Sequence, residues 1–119
     1  MFEEEFRNLK PYEKYIVSLP HLKDVYSFAS YSYEQGYFKI EFENTKHVQY
    51  HLDNIATYRN KLKNNLEYMK MLKSEIDINS LDSYHKKELN SHNIFFDKVE
   101  ILLYDMEKFL NKHNIDLSI

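Results

Sequence analysis

The chain has 119 residues, a formal net charge of −3 at pH 7, 43% apolar and 16% aromatic residues, no cysteine and one glycine. That length suits one domain over 1–119 with a single core, and so many aromatic residues do not belong to a chain that never packs. The missing cysteines exclude disulfides, thiolate catalysis and cysteine-held metal centres, and a lone glycine excludes phosphate-cradling loops, dinucleotide fingerprints and nucleophile elbows.

No apolar run reaches the about 18 residues that cross a bilayer, and the opening MFEEEFRNLK is acidic where a secretory signal is basic. A cytoplasmic protein without a membrane partner is expected. Among the basic residues only Arg7 and Arg59 are arginines. Arginine is the usual bidentate reader of guanine and phosphate, so the chain is poorly equipped for sequence-specific DNA readout.

In chain order, Phe2, Phe6, Leu9, Tyr12, Ile16 and Leu19 recur every three or four residues, which predicts a helix, with Glu3, Glu4 and Glu5 set against its positive start. Pro11 predicts a kink or a second helix start, and Pro20 is expected to end the element. Residues 37–43, YFKIEFE, alternate Phe38, Ile40 and Phe42 against Lys39, Glu41 and Glu43, the period-two pattern of a half-buried strand. Residues 25–33 are its expected hairpin partner, with Gly36 taking positive φ in the turn and a bulge near Ala29 and Ser30. Leu22, Val25, Tyr26, Ala29 and Tyr33 also sit at helical spacing, a rival reading set aside because a lone strand would have no ladder partner. KHVQYH offers a short third strand.

Beyond Asn44 and Thr45, Val48, Ile55, Leu62, Met69 and Ile76 repeat every seven residues and predict one long amphipathic helix. After the turn DINSLDS, Leu89, Phe96, Leu103 and Leu110 predict a second, antiparallel to the first. The expected fold is α+β: an N-terminal helix, a β-hairpin with an optional third strand, and two long antiparallel helices.

Seven rings lie within residues 26–44. Phe38, Ile40, Phe42, Tyr26 and Phe28 are assigned to the core face of the sheet, which leaves Tyr31, Tyr33 and Tyr37 in surplus beside Glu41 and Glu43. These five residues are the expected partner-binding surface, because tyrosine buries an apolar body while keeping its hydroxyl wet. The neighbouring glutamates would repel phosphate, which argues against base stacking.

Residues 46–76 carry six basic against three acidic residues, and Arg59, Lys63, Lys70 and Lys73 share one side of a helical wheel. That stripe either tracks a phosphate backbone or faces acidic neighbours within the fold. His47 and His51 stand four apart, as helical zinc ligands do, but Asp53 points elsewhere and no third ligand is near, so neither metal nor cofactor is expected. His85, His92 and His113 fall on one stripe, at polar positions where helices meet.

These features predict a non-enzymatic protein-binding module, of the inhibitor or immunity type carried by phages and mobile elements. Its expected partner is another protein, such as a nucleic-acid enzyme whose basic groove an acidic surface would block, with a homodimer through the wide helical face as an option. The alternative is a nucleic-acid-binding protein using Arg59, Lys63, Lys70 and Lys73.

Overall fold

A computed structural model describes residues 2–117, apart from the side chains of Phe2 and Glu3. Helix α1 (Phe2–Arg7) is followed by α2 (Pro11–Glu41), α3 (Val48–Ser74), a 3-10 turn (Ile78–Ser80), α4 (Ser83–Ser91) and α5 (Asn93–Lys112).

Local chemistry sets most of these boundaries. Pro11 occupies the first position of α2, where its missing N–H would have had no helical acceptor, and the Glu13 carboxylate accepts the Lys10 backbone N–H at 3.0 Å. The following turn contains Asn44 at φ 50, a left-handed conformation that asparagine tolerates, and the Thr45 hydroxyl then accepts the His47 N–H at 3.0 Å just before α3. Asp82 caps α4 by accepting the His85 N–H at 2.9 Å. His92 closes α4 and opens α5. At the far end Asn114 takes φ 62, while the N–H groups of Asn114 and Ile115 reach back to the carbonyls of Asn111 and Leu110 at 3.1 and 3.0 Å. This is a Schellman stop.

Helices α2 and α3 run antiparallel: Phe28 stacks near Tyr58, and Gly36 lies against Ile55. Helix α5 returns antiparallel to α3, with Lys70 paired to Glu100 and Arg59 to Glu107, and so runs parallel to α2, where Tyr15 meets Phe96 and Tyr33 meets Phe109. The core between the three helices holds Leu19, Leu22 and Ala29 of α2, Ile55, Leu62 and Met69 of α3, and Val99, Met106 and Leu110 of α5. Full burial of one such aliphatic side chain stabilises by about 1.5–3 kcal/mol. Among the described residues, no helix is long and apolar enough to cross a membrane.

The α+β expectation is overturned, since there is no strand among the described residues. Residues 25–33 and 37–43 do not pair as a hairpin; nearly all of them belong to the 31-residue helix α2, and KHVQYH opens α3 rather than forming a third strand. Pro20 sits inside α2 instead of ending it. Proline removes its own N–H and its ring crowds the Ile16 carbonyl, which loses its usual donor; Pro20 lies on the exposed side of the helix, where that carbonyl can tilt outward and take water instead.

Gly36 is not a turn residue with positive φ but a buried helical one. A Cβ placed there would stand 2.8 Å from Ile55 Cδ1, so the glycine serves close approach of α2 to α3. Ala29 is likewise buried within the helix rather than in a bulge. The helix wins because Leu22, Ala29 and Gly36, seven apart, together with Leu19 and Val25, form one continuous seam against α3 and α5. An isolated two-stranded hairpin has no comparable burial to offer and is marginal in water.

Candidate protein-interaction groove

Helix α2 carries a second heptad seam on its other side. Val17, Asp24, Tyr31 and Phe38 recur every seven residues, interleaved with His21, Phe28, Gln35 and Phe42 at the same period. None of these eight side chains is buried. Across from them α3 presents Tyr50, Asn54, Tyr58, Lys61, Asn65 and Tyr68, and the two rows form the walls of a groove.

Three hollows lie in line along it, of about 360, 560 and 420 Å³. The first is bounded by Phe6, Val17, His21, Asn65 and Tyr68; the second by His21, Asp24, Phe28, Tyr58 and Lys61; the third by Phe28, Tyr31, Gln35, Lys39, Tyr50 and Asn54. All of these residues come from α1, α2 and α3, so the groove faces away from α5.

Aromatic contacts build its floor. The Phe28 and Tyr58 rings stack with centroids 6.5 Å apart and planes at 27°, and Lys61 Nζ lies 5.2 Å from the Tyr58 centroid. Tyr50 meets His51 edge-on at 5.3 Å. Phe38 and Phe42 lie 5.6 Å apart at the far end. The lining charges are Lys39, Lys61 and Asp24, and Lys39 is 3.6 Å from Glu43. The surface is therefore apolar and aromatic, with amides and a few compensating charges along its rim.

The five residues expected as a hairpin surface are dispersed by the helix. Tyr31 is 66% exposed and lies in the groove. Tyr33 and Tyr37 turn the other way, onto Phe109 of α5, with centroids 6.0 and 5.1 Å from its ring. Burial is the chief cause that raises the Tyr33 hydroxyl above its ordinary pKa. Glu41 receives Lys112 at 2.9 Å and has His113 at 3.6 Å; the hydrogen bond from Lys112 leads in holding its carboxyl below the usual range. Glu43 pairs with Lys39. Phe28, Phe38 and Phe42, assigned to a core face, instead stand in water at 61%, 51% and 69% exposure, while Ile40 and Tyr26 are partly buried against the core.

The basic stripe turns inward, toward α5. Arg59 is 5% exposed, and its Nε and Nη2 both donate to Glu107 Oε1 at 3.2 and 3.0 Å, while Nη1 donates to Asn60. Lys70 pairs with Glu100, and Lys73 donates to Asn93 at 3.0 Å while lying over the Phe96 ring. Lys63 is half-buried beside Glu67 and Glu107. His47 is exposed at the start of α3 and His51 is half-buried beside Gly36; among the described residues no group of three or more acidic or histidine side chains could hold a metal ion.

A separate cluster of titratable groups joins α2 to α4. Tyr12 donates to Glu88 at 2.8 Å, the Tyr15 hydroxyl is 3.0 Å from His92 Nδ1, and Tyr12 meets His85 edge-on. Burial first, and the Glu88 charge second, push the Tyr15 hydroxyl up to about 12; the same burial lowers His92 below its ordinary value. Groups driven this way stay neutral near pH 7, and their hydrogen bonds join α2 to α4 and to the start of α5.

Tyr50, Tyr58 and Tyr68 were not singled out from the sequence. Their signal is the spacing 50, 54, 58, 61, 65, 68, which runs along α3 beside its aliphatic seam. No family model, no curated protein and no solved structure matches this chain.

Proposed function

We propose that this protein is a non-enzymatic protein-binding module whose binding face is the aromatic groove between α2 and α3. The observation that carries this reading is a row of exposed rings on the two heptad tracks of α2, faced by tyrosines of α3, on helices whose opposite sides are locked in the core. Free aromatic surface of this extent is costly in water, and rings on rigid helices lose little further freedom when a partner covers them. A heptad seam is the surface that a second helix fits, knobs into holes. Occupying a partner's surface is then the whole of its action, as in the inhibitor class.

The alternative, a phosphate-tracking stripe of Arg59, Lys63, Lys70 and Lys73, has less support, because three of its four cations already serve α5. Phosphate binding would have to displace Glu107 and Glu100.

The test is position-dependent crosslinking. A photoreactive phenylalanine analogue replaces Tyr31 in the groove or, as a control, Tyr104 of α5, which lies outside the groove and is about as exposed. Irradiation should give a protein adduct from position 31 and none from position 104. Equal yields at the two positions, or none at 31, would remove the groove as the binding face.

A further inference from the structure

We infer that the occupant of the groove is a second copy of this chain, with the two α2 helices lying antiparallel along their exposed seams. This inference rests on the groove being a protein-binding face and names its partner.

The seam is complementary to its own reverse. Pairing about a centre between Phe28 and Tyr31 sets Phe28 against Tyr31 of the second copy, Asp24 against Gln35, His21 against Phe38, and Val17 against Phe42. Rings meet rings at the centre, an apolar pair closes each end, and the one carboxylate on the seam faces an amide donor. An isologous two-fold contact requires this property, that residue i meets j while j meets i.

Charge selects the same direction. Of the three charges that line the groove, Lys61 belongs to the α3 wall, whereas Asp24 and Lys39 belong to α2. In antiparallel pairing Lys39 of one copy falls about one helical turn from Asp24 of the other, within reach of a lysine stem. Parallel pairing would bring Asp24 to Asp24 and Lys39 to Lys39, which is repulsive.

Area is sufficient as well. Six rings on this face, Phe28, Tyr31, Phe38, Phe42, Tyr50 and Tyr68, are each 40–69% exposed. At roughly 200 Å² per ring, about 700 Å² of ring surface stands in water on each copy, close to the ~800 Å² that each partner gives to a standard interface.

Light scattering of the purified chain at tens of micromolar should return twice the chain mass, and Tyr31→Glu should weaken the dimer by at least 10-fold with unchanged helical circular dichroism. Because the chain has no cysteine, register can be read cleanly: Val17→Cys mixed with Phe42→Cys should form a disulfide on mild oxidation, while Val17→Cys alone should not. Two antiparallel copies hold that residue roughly 37 Å from its own counterpart, at 1.5 Å rise over the intervening helix.

A monomer at this concentration, a dimer indifferent to Tyr31→Glu, or self-crosslinking of Val17→Cys would each overturn the inference. A monomer that still gives a position-31 adduct with a different protein, or a salt-sensitive complex with single-stranded DNA, overturns it too. The first of those leaves the protein-binding reading standing; a monomer with no position-31 adduct removes both.

Discussion

The two sides of α2 obey the same heptad rule and end in opposite states. Along Leu22, Ala29 and Gly36 the residues shrink toward the C-terminus, so α3 comes close enough that Gly36 would not admit a Cβ without moving Ile55. Along Val17, Asp24, Tyr31 and Phe38 the C-terminal half carries rings instead, and all four side chains are exposed. Small residues let helix backbones approach, whereas large rings on the other side leave apolar area in water. Residue size, more than periodicity, thus separates the side of α2 that packs within the chain from the side left exposed.

The sharpest way to break that contrast is to truncate one side chain in the core and a larger one in the groove. Leu62→Ala, at a fully buried position of α3, should cost about 3–4 kcal/mol in urea unfolding. Phe28→Ala, read in the same experiment at a concentration where the chain is monomeric, should stay within about 0.5 kcal/mol. A loss above about 2 kcal/mol for Phe28→Ala would mean that the groove side is part of the core.

Ionisation of Tyr15 at the junction of α2 with α4 and α5 opposes folding. Tyr15 ionises near 10 when unfolded and near 12 when folded, so folding favours its neutral form. That contribution is complete below pH 10 and is lost as pH rises from 10 to 12. Across this window the wild type should lose about 2 kcal/mol more stability than Tyr15→Phe, as measured by denaturant midpoints. Parallel losses in the two proteins would show that burial and the Glu88 charge do not hold the Tyr15 hydroxyl neutral in this window.

Much of the helical half was legible in the sequence, because the heptads from Val48 to Ile76 and from Leu89 to Leu110 are long and aliphatic. The α2 region was not, and the reason lies in its residues. Phe38, Ile40 and Phe42 satisfy a period of two over a few positions, whereas the helical spacing of Leu22, Val25 and Ala29 was visible but continues at Gly36, which has no side chain to register as apolar. Pro20 and Gly36 punctuate the segment as though it were broken, yet one faces water and the other packs under Ile55. Tertiary packing overrode local propensity at both positions. The direction of the basic stripe was equally hidden, since a helical wheel groups Arg59, Lys70 and Lys73 without saying that Glu107, Glu100 and Asn93 lie opposite.

That inward turn predicts a stability effect of intermediate size. Glu107→Ala leaves the Arg59 guanidinium buried without its carboxylate and should cost about 2 kcal/mol, less than a fully buried pair because Glu107 keeps some exposure. The double variant Arg59→Met with Glu107→Leu should recover most of that loss in the same unfolding assay. A Glu107→Ala variant as stable as wild type would return Arg59 to the pool of cations free to bind a ligand.

The smallest expected change sits at the closest approach of the two helices. Gly36→Ala gains about 1 kcal/mol of helix propensity but places a methyl 2.8 Å from Ile55 Cδ1, 3.3 Å from its Cγ1 and 3.4 Å from His51 Cβ. The nearest of these atoms ends a side chain that can change rotamer, at a strain of order 1 kcal/mol. The two effects should cancel to within about 0.5 kcal/mol, whereas Gly36→Leu, with no room for its branches, should lose about 2 kcal/mol by overpacking. If Gly36→Ala alone loses more than about 1 kcal/mol, Ile55 cannot rotate and the α2–α3 spacing is rigid. A rigid spacing fixes the groove on the opposite side of the same helix pair, so crosslinking at position 31 should then fall in Gly36→Ala; if Ile55 yields, the groove and its crosslinks should be unchanged.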